Sequence, residues 1–172
     1  MARFTFSSSI VRSFVFGVED SLVSTVGLVS GIAVAGLSNA TILLTGAILI
    51  LVEAFSMAAG NLMTENTLRE IRLHRMGMLS ASLMPAFVMF ASYALSGFFV
   101  LVPYIIFPPE QALLISIGLS LFFLFILGTI AGVLSETSRI QNGILMAVVG
   151  GLAICIGIGA SFLIQTMIGA AS

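Results

Sequence analysis

Five long, largely apolar runs separated by short polar breaks fill almost the whole chain. A helix needs about 20 apolar residues to cross the hydrocarbon core of a bilayer, and each run reaches that length. The predicted spans are 13–36, 41–64, 79–107, 111–134 and 141–168. The breaks are a Ser- and Asn-bearing turn at 37–40, a charged link at 65–78, Pro108-Pro109, which cannot continue a helix, and a polar stretch at 135–142. The runs are too long and too uniformly apolar for the alternating strands of a barrel. The expected architecture is therefore all-α: one polytopic membrane domain over residues 1–172, with five transmembrane helices. Pro85 and Pro103 fall in or near the end of the third span, where a membrane helix tolerates them with a kink.

Composition removes the other classes. Charged residues make up 8% of the chain, against about 25% in a soluble domain, so a water-facing surface cannot be covered. There is no lysine, and six Arg face seven acids, so no basic face exists to neutralise phosphates and no nucleic-acid partner is expected. One His and the single Cys155 leave no convincing nucleophile and base for an enzyme. Arg3, Arg12 and Ala33-Val34-Ala35 imitate a cleaved signal peptide, but Glu19 and Asp20 interrupt its apolar region, so the segment is expected to be retained as the first span.

Every positive charge falls on one side of the predicted topology. Arg3 and Arg12 precede the first span, Arg69, Arg72 and Arg75 lie between the second and third, and Arg139 lies between the fourth and fifth. The positive-inside rule makes that side cytoplasmic. The N-terminus is then inside and the C-terminus outside. The membrane is expected to be a bacterial or archaeal plasma membrane.

Three acids, Glu19, Asp20 and Glu53, lie inside spans with no Arg, Lys or His within any span to pair with them. A charged acid at a helix centre costs at least about 2.5 kcal/mol, so these groups must be protonated, hydrated or holding a cation. Antiparallel first and second spans put Asp20 and Met57 at similar height in the inner half, with Glu53 one turn deeper. Glu53, Met57, Asn61 and Glu65 recur at intervals of four, forming one stripe from mid-membrane to the cytoplasmic edge. Glu19 lies about 100° around the helix from Asp20, so the two cannot both point at one site. Carboxylate oxygens mixed with thioether sulfur suit a first-row divalent metal better than Na⁺, Ca²⁺ or Mg²⁺. Carboxylates can also exchange that metal for protons. The plainer account makes Met57 a packing residue and the acids protonated hydrogen-bond donors. Asp20, Met57, Glu53, Glu19, Asn61 and Glu65 are the candidate metal ligands. Glu70 and His74 share a helical face, but Arg69, Arg72 and Arg75 surround them and disfavour a cation. Glu65 and Glu136 are also placed to pair with Arg69 and Arg139.

The stretch from Phe16-Gly17 through Asp20-Ser21-Leu22-Val23-Ser24-Thr25 to Gly27-Leu28-Val29-Ser30-Gly31 resembles the first span of the vacuolar iron transporter family. That family typically reads F-G-x-x-D-G-L-V-S-T-x-G-L-V-x-G there. Glu53-Ala54-Phe55-Ser56-Met57-Ala58-Ala59-Gly60 resembles its second span, where small residues surround S-M-A-x-G. The resemblance implies five helices, a homodimer, and export of Fe²⁺ or Mn²⁺ from the cytosol in exchange for protons. It places the family's aspartate on Asp20, its pathway methionine on Met57, and an acidic position on Glu53. No resident cofactor is implied; the metal is cargo and the proton its counter-ion. The family's usual G-E-Y is replaced by Gly60-Asn61-Leu62, so a carboxylate near the cytoplasmic mouth is missing. The short 65–78 link marks a form without the Glu-rich cytoplasmic metal-binding domain that many members insert.

Small-residue ridges mark close helix contacts: Gly27 with Gly31, Gly128 with Gly132, and Gly151, Cys155 and Gly159. The first-span ridge is expected at the centre of the homodimer. Two other functions use the same acids: a channel-like conductor of cations or protons, and a non-transporting structural or regulatory subunit.

Overall fold

The computed structural model describes residues 8–73 and 80–171, and they form five helices: α1 (Ser8–Val34), α2 (Asn39–Leu73), α3 (Ser80–Ile106), α4 (Pro109–Leu134) and α5 (Arg139–Ala171). All five are long and apolar enough to cross a membrane. Helices satisfy their own backbone hydrogen bonds, which is what an apolar run inside lipid requires. The protein is an integral membrane protein.

Helix ends follow local chemistry. Ser38 caps α2: its Oγ accepts from the Thr41 backbone N–H at 3.3 Å, and its carbonyl accepts from Ile42 at 3.0 Å. Gly36 just before it has φ 77, a left-handed turn that glycine adopts without a Cβ clash. Pro109 opens α4 at a position where its missing N–H costs nothing, with Glu110 in the first turn beside the helix's positive end. Asn39 Nδ2 donates to the Phe107 carbonyl at 2.9 Å, tying the start of α2 to the end of α3. Pro85 and Pro103 both lie within an uninterrupted α3.

The second helix outruns its apolar span. Hydropathy ends it at residue 64, whereas the backbone stays helical to Leu73. No Gly or Pro interrupts residues 61–73, so the helix continues out of the apolar zone into the charged link. Asn66 Nδ2 donates to Glu70 Oε1 at 2.9 Å on this extension. His74 and Arg75 lie outside the described residues. Glu136 and Arg139 form no ion pair among the described residues; Glu136 sits in the α4–α5 turn with φ 55.

The first helix occupies the centre and packs on all four others, while α4 pairs with α5 and α2 with α3. It carries small polar groups along its enclosed faces: Ser13, Ser21, Thr25 and Ser30 are fully buried, together with Gly17, Gly27 and Gly31. Lipid-facing side chains instead line the outer helices, among them Phe55, Leu95, Leu114 and Ile156. Two apolar clusters flank α1. Val29 meets Ile42, Ile50, Leu101 and Tyr104, and Leu22 and Val26 meet Val100, Leu124 and Ile154.

The glycine ridges resolve differently from the sequence expectation. Gly27 faces the Ala153 carbonyl and Gly31 faces the Gly157 carbonyl of α5. The ridge expected at a dimer centre is therefore covered by the chain's own fifth helix. Gly128 and Gly132 pack against Asn142 and Arg139, joining α4 to α5. Gly151 and Gly159 have nothing within 4 Å, and Cys155 is exposed. The ridge that α5 packs with is the adjacent pair Ala153 and Gly157.

Candidate metal pathway between the first two helices

Helices α1 and α2 run antiparallel from the Gly36 turn and touch less closely than α2 touches α3. Their seam carries polar pairs in place of a continuous apolar contact. At the far end from the turn, Arg12 Nη2 donates to Glu65 Oε1. One turn inward on α2, Asn61 Nδ2 donates to Ser13 Oγ at 2.7 Å. That bond leaves the Asn61 carbonyl oxygen as its ligand-capable atom.

A cavity of about 600 Å³ opens beside these pairs. Arg12, Glu19, Met57 and Asn61 line it, with Phe16 on one wall and Met89 of α3 on another. Met89 is 3% exposed, and it brings a second thioether to a site where the sequence suggested only Met57. Ser56, Gly60 and Thr64, spaced by four on α2, form an exposed small-residue edge of the same cavity.

The two bonds across the seam, Ser13 with Asn61 and Arg12 with Glu65, bring Asp20 opposite the Glu53–Met57 turn of α2. Asp20 and Glu53 lie within electrostatic range of each other. Glu19 is also in range of Asp20, but only Glu19 lines the cavity. The divergence of the two acids matches the 100° step between neighbouring helix positions.

Tyr93 of α3 closes the deep side of this group. It is fully buried. Its hydroxyl and the Ser24 hydroxyl are 2.7 Å apart, and Ser21 Oγ donates to the Tyr93 carbonyl at 2.6 Å. Met89 and Tyr93 are four apart on α3, so one face of the third helix serves the site. That spacing was readable in the sequence, but nothing there selected α3 as the neighbour of α1.

Among the six candidate ligands, four share the cavity or its rim: Glu19, Met57, Asn61 and, through Arg12, Glu65. Asp20 and Glu53 are not among its lining residues and lie within electrostatic range of each other. The expected Glu65–Arg69 pairing is replaced by the bond to Arg12, because α1 brings a guanidinium across the seam. Among the described residues no group of three His, Cys, Asp or Glu side chains is placed to hold a metal ion. Any metal here would be held by carboxylates supplemented with amide, hydroxyl and thioether groups.

The sequence profile of the VIT family matches residues 11–77 and 63–161, two stretches that overlap over 63–77, around the end of α2. No curated protein matches the chain. The matched stretches take in all but the ends of the five-helix bundle, the Asp20 motif and the Met57 motif included, and the chain belongs to the VIT family, the vacuolar iron transporters.

Proposed function

We propose that the protein is a proton-coupled exporter of a divalent transition metal, Fe²⁺ or Mn²⁺, from the cytosol. Membership of the VIT family suggests metal transport. The observation that carries the finer reading is the cavity lined by Glu19, Met57, Asn61 and Met89, with Asp20 and Glu53 on the same two helices within electrostatic range of each other. Two carboxylates without a basic partner at their depth are neutral with two protons or with one divalent cation, so the pair can trade one for the other. Met57 and Met89 add soft ligands that favour transition metals over Mg²⁺ and Ca²⁺. The Arg-rich end of the bundle is the cytoplasmic one in this reading.

The test is uptake of Fe²⁺ and Mn²⁺ into acid-loaded proteoliposomes. Saturable flux that collapses with the proton gradient supports exchange. Non-saturating flux indifferent to the gradient favours a conductor, and no flux in folded protein favours a non-transporting subunit. Met57→Leu keeps the volume and removes the sulfur, so Fe²⁺ flux should fall by about tenfold and Mn²⁺ flux by less, since Mn²⁺ is the harder ion. Equal loss for both metals would leave Met57 as packing.

A homodimer belongs to the same proposal. With Gly27 and Gly31 committed to α5, the small-residue edge Ser56, Gly60 and Thr64 is the face where a second copy can approach and enclose the cavity. In a Cys155→Ser background, cysteine at position 60 should crosslink between subunits, whereas cysteine at position 27 should not. Crosslinks at 27 and none at 60 would reverse the assignment.

A further inference from the structure

The Arg12–Glu65 pair stands at the rim of the cavity, and its two partners are unequally enclosed. The Glu65 side chain is 9% exposed and the Arg12 side chain 57% exposed. The carboxylate is held in place on α2, while the guanidinium reaches it from α1 on a flexible stem that can also extend into water. The neighbouring rung on α2 is neutral: it is Asn61, whose amide is engaged by Ser13. Arg69, one turn beyond Glu65, forms no ion pair with it. Glu65 is thus the one enclosed carboxylate at this rim among the described residues, and a cation already occupies it.

We propose that Arg12 is a resident counter-cation that an entering divalent metal displaces from Glu65, so that this pair sets the apparent affinity of the entry step. The inference rests on the reading of the cavity as a metal pathway. An Arg12 that swings to water leaves Glu65 open to the ion and removes a positive charge from the rim in the same movement. The metal then passes to Asn61, Met57 and the deeper carboxylates. Removing Arg12 unmasks the entry ligand; removing Glu65 strands a positive charge at the entrance.

Equilibrium Mn²⁺ binding to the purified full chain, followed by the electron paramagnetic resonance of free Mn²⁺, tests this without requiring transport. Arg12→Gln should tighten binding by roughly fivefold, the loss of a competing partly exposed pair. Glu65→Gln should weaken it by at least as much. The exchanged double variant Arg12→Glu with Glu65→Arg should return toward the parent, because the masked carboxylate is restored with its polarity across the seam reversed. Unchanged or weaker binding in Arg12→Gln overturns the proposal, as does a double variant that binds no better than Glu65→Gln. A purely structural pair would lower the melting temperature of both single variants and move their Mn²⁺ affinities in the same direction. Flux assays on the same proteins separate the two levels: the expected binding pattern without gradient-driven flux would sink the exchanger and keep the masked entry ligand.

Discussion

If the proposed exchange holds, Asp20→Asn should abolish proton-driven metal flux while the protein still folds and inserts. The substitution keeps the shape and the hydrogen-bonding capacity of the side chain but removes the charge and the exchangeable proton. With Asn there, Glu53 faces a neutral amide, and the pair can no longer balance a divalent ion. Loss of a group that only supports a ligand typically costs 10–100-fold in metal affinity, so loss of the carboxylate itself should reduce flux by about a hundredfold or more. Glu53→Gln should act in the same direction, since the two acids lie within electrostatic range of one another. The measurement is initial-rate Mn²⁺ uptake in proteoliposomes, with a monodisperse detergent-solubilised sample as the folding control. Retained, gradient-dependent flux in Asp20→Asn would remove this carboxylate from the mechanism.

Gly157→Leu should disrupt the bundle, and Gly159→Leu should not. A Cβ at Gly157 would collide with the backbone of Gly27, whereas nothing lies within 4 Å of one at Gly159. Backbone cannot yield as a flexible side chain can, so α1 and α5 must separate along the contact that also includes Gly31. Overpacking typically costs about 1–3 kcal/mol, and a backbone collision on the central helix should reach or exceed the top of that range. The expected result is a large fall in the melting temperature and yield of Gly157→Leu. Gly159→Leu should stay near the parent, because its side chain enters lipid. Since α1 also carries Asp20, the damage should extend to transport. Equal effects at 157 and 159 would mean that α5 does not pack on α1 through this face.

The membrane architecture was legible because its signal is one-dimensional. Apolar length shows where chain crosses lipid, and each expected span falls largely on one of the five helices. The same signal was blind to the last part of α2, since hydropathy marks where lipid ends and the helix continues to Leu73 on its own backbone bonds. The stripe of Glu53, Met57, Asn61 and Glu65 was legible for a similar reason, as a spacing of four defines a face from sequence alone. The structure turns that face toward α1, with Asn61 on Ser13 and Glu65 on Arg12.

What the sequence determined by itself was five membrane helices, a stripe of acids and a methionine on the second, and the Asp20 motif on the first. Only the tertiary structure decided which faces meet. It gave Glu65 to Arg12 instead of Arg69, brought in Met89 and Tyr93 from α3, and spent the Gly27–Gly31 ridge on α5. The physical reason is that hydropathy records each residue's preference for lipid over water, and inside a bilayer that preference is nearly the same for every apolar face. Which helix a face finds is then settled by shape and polar pairing, by whether a glycine lets two backbones touch and whether a hydroxyl or amide finds its partner across the gap. These are properties of two helices together, and neither helix's sequence contains them.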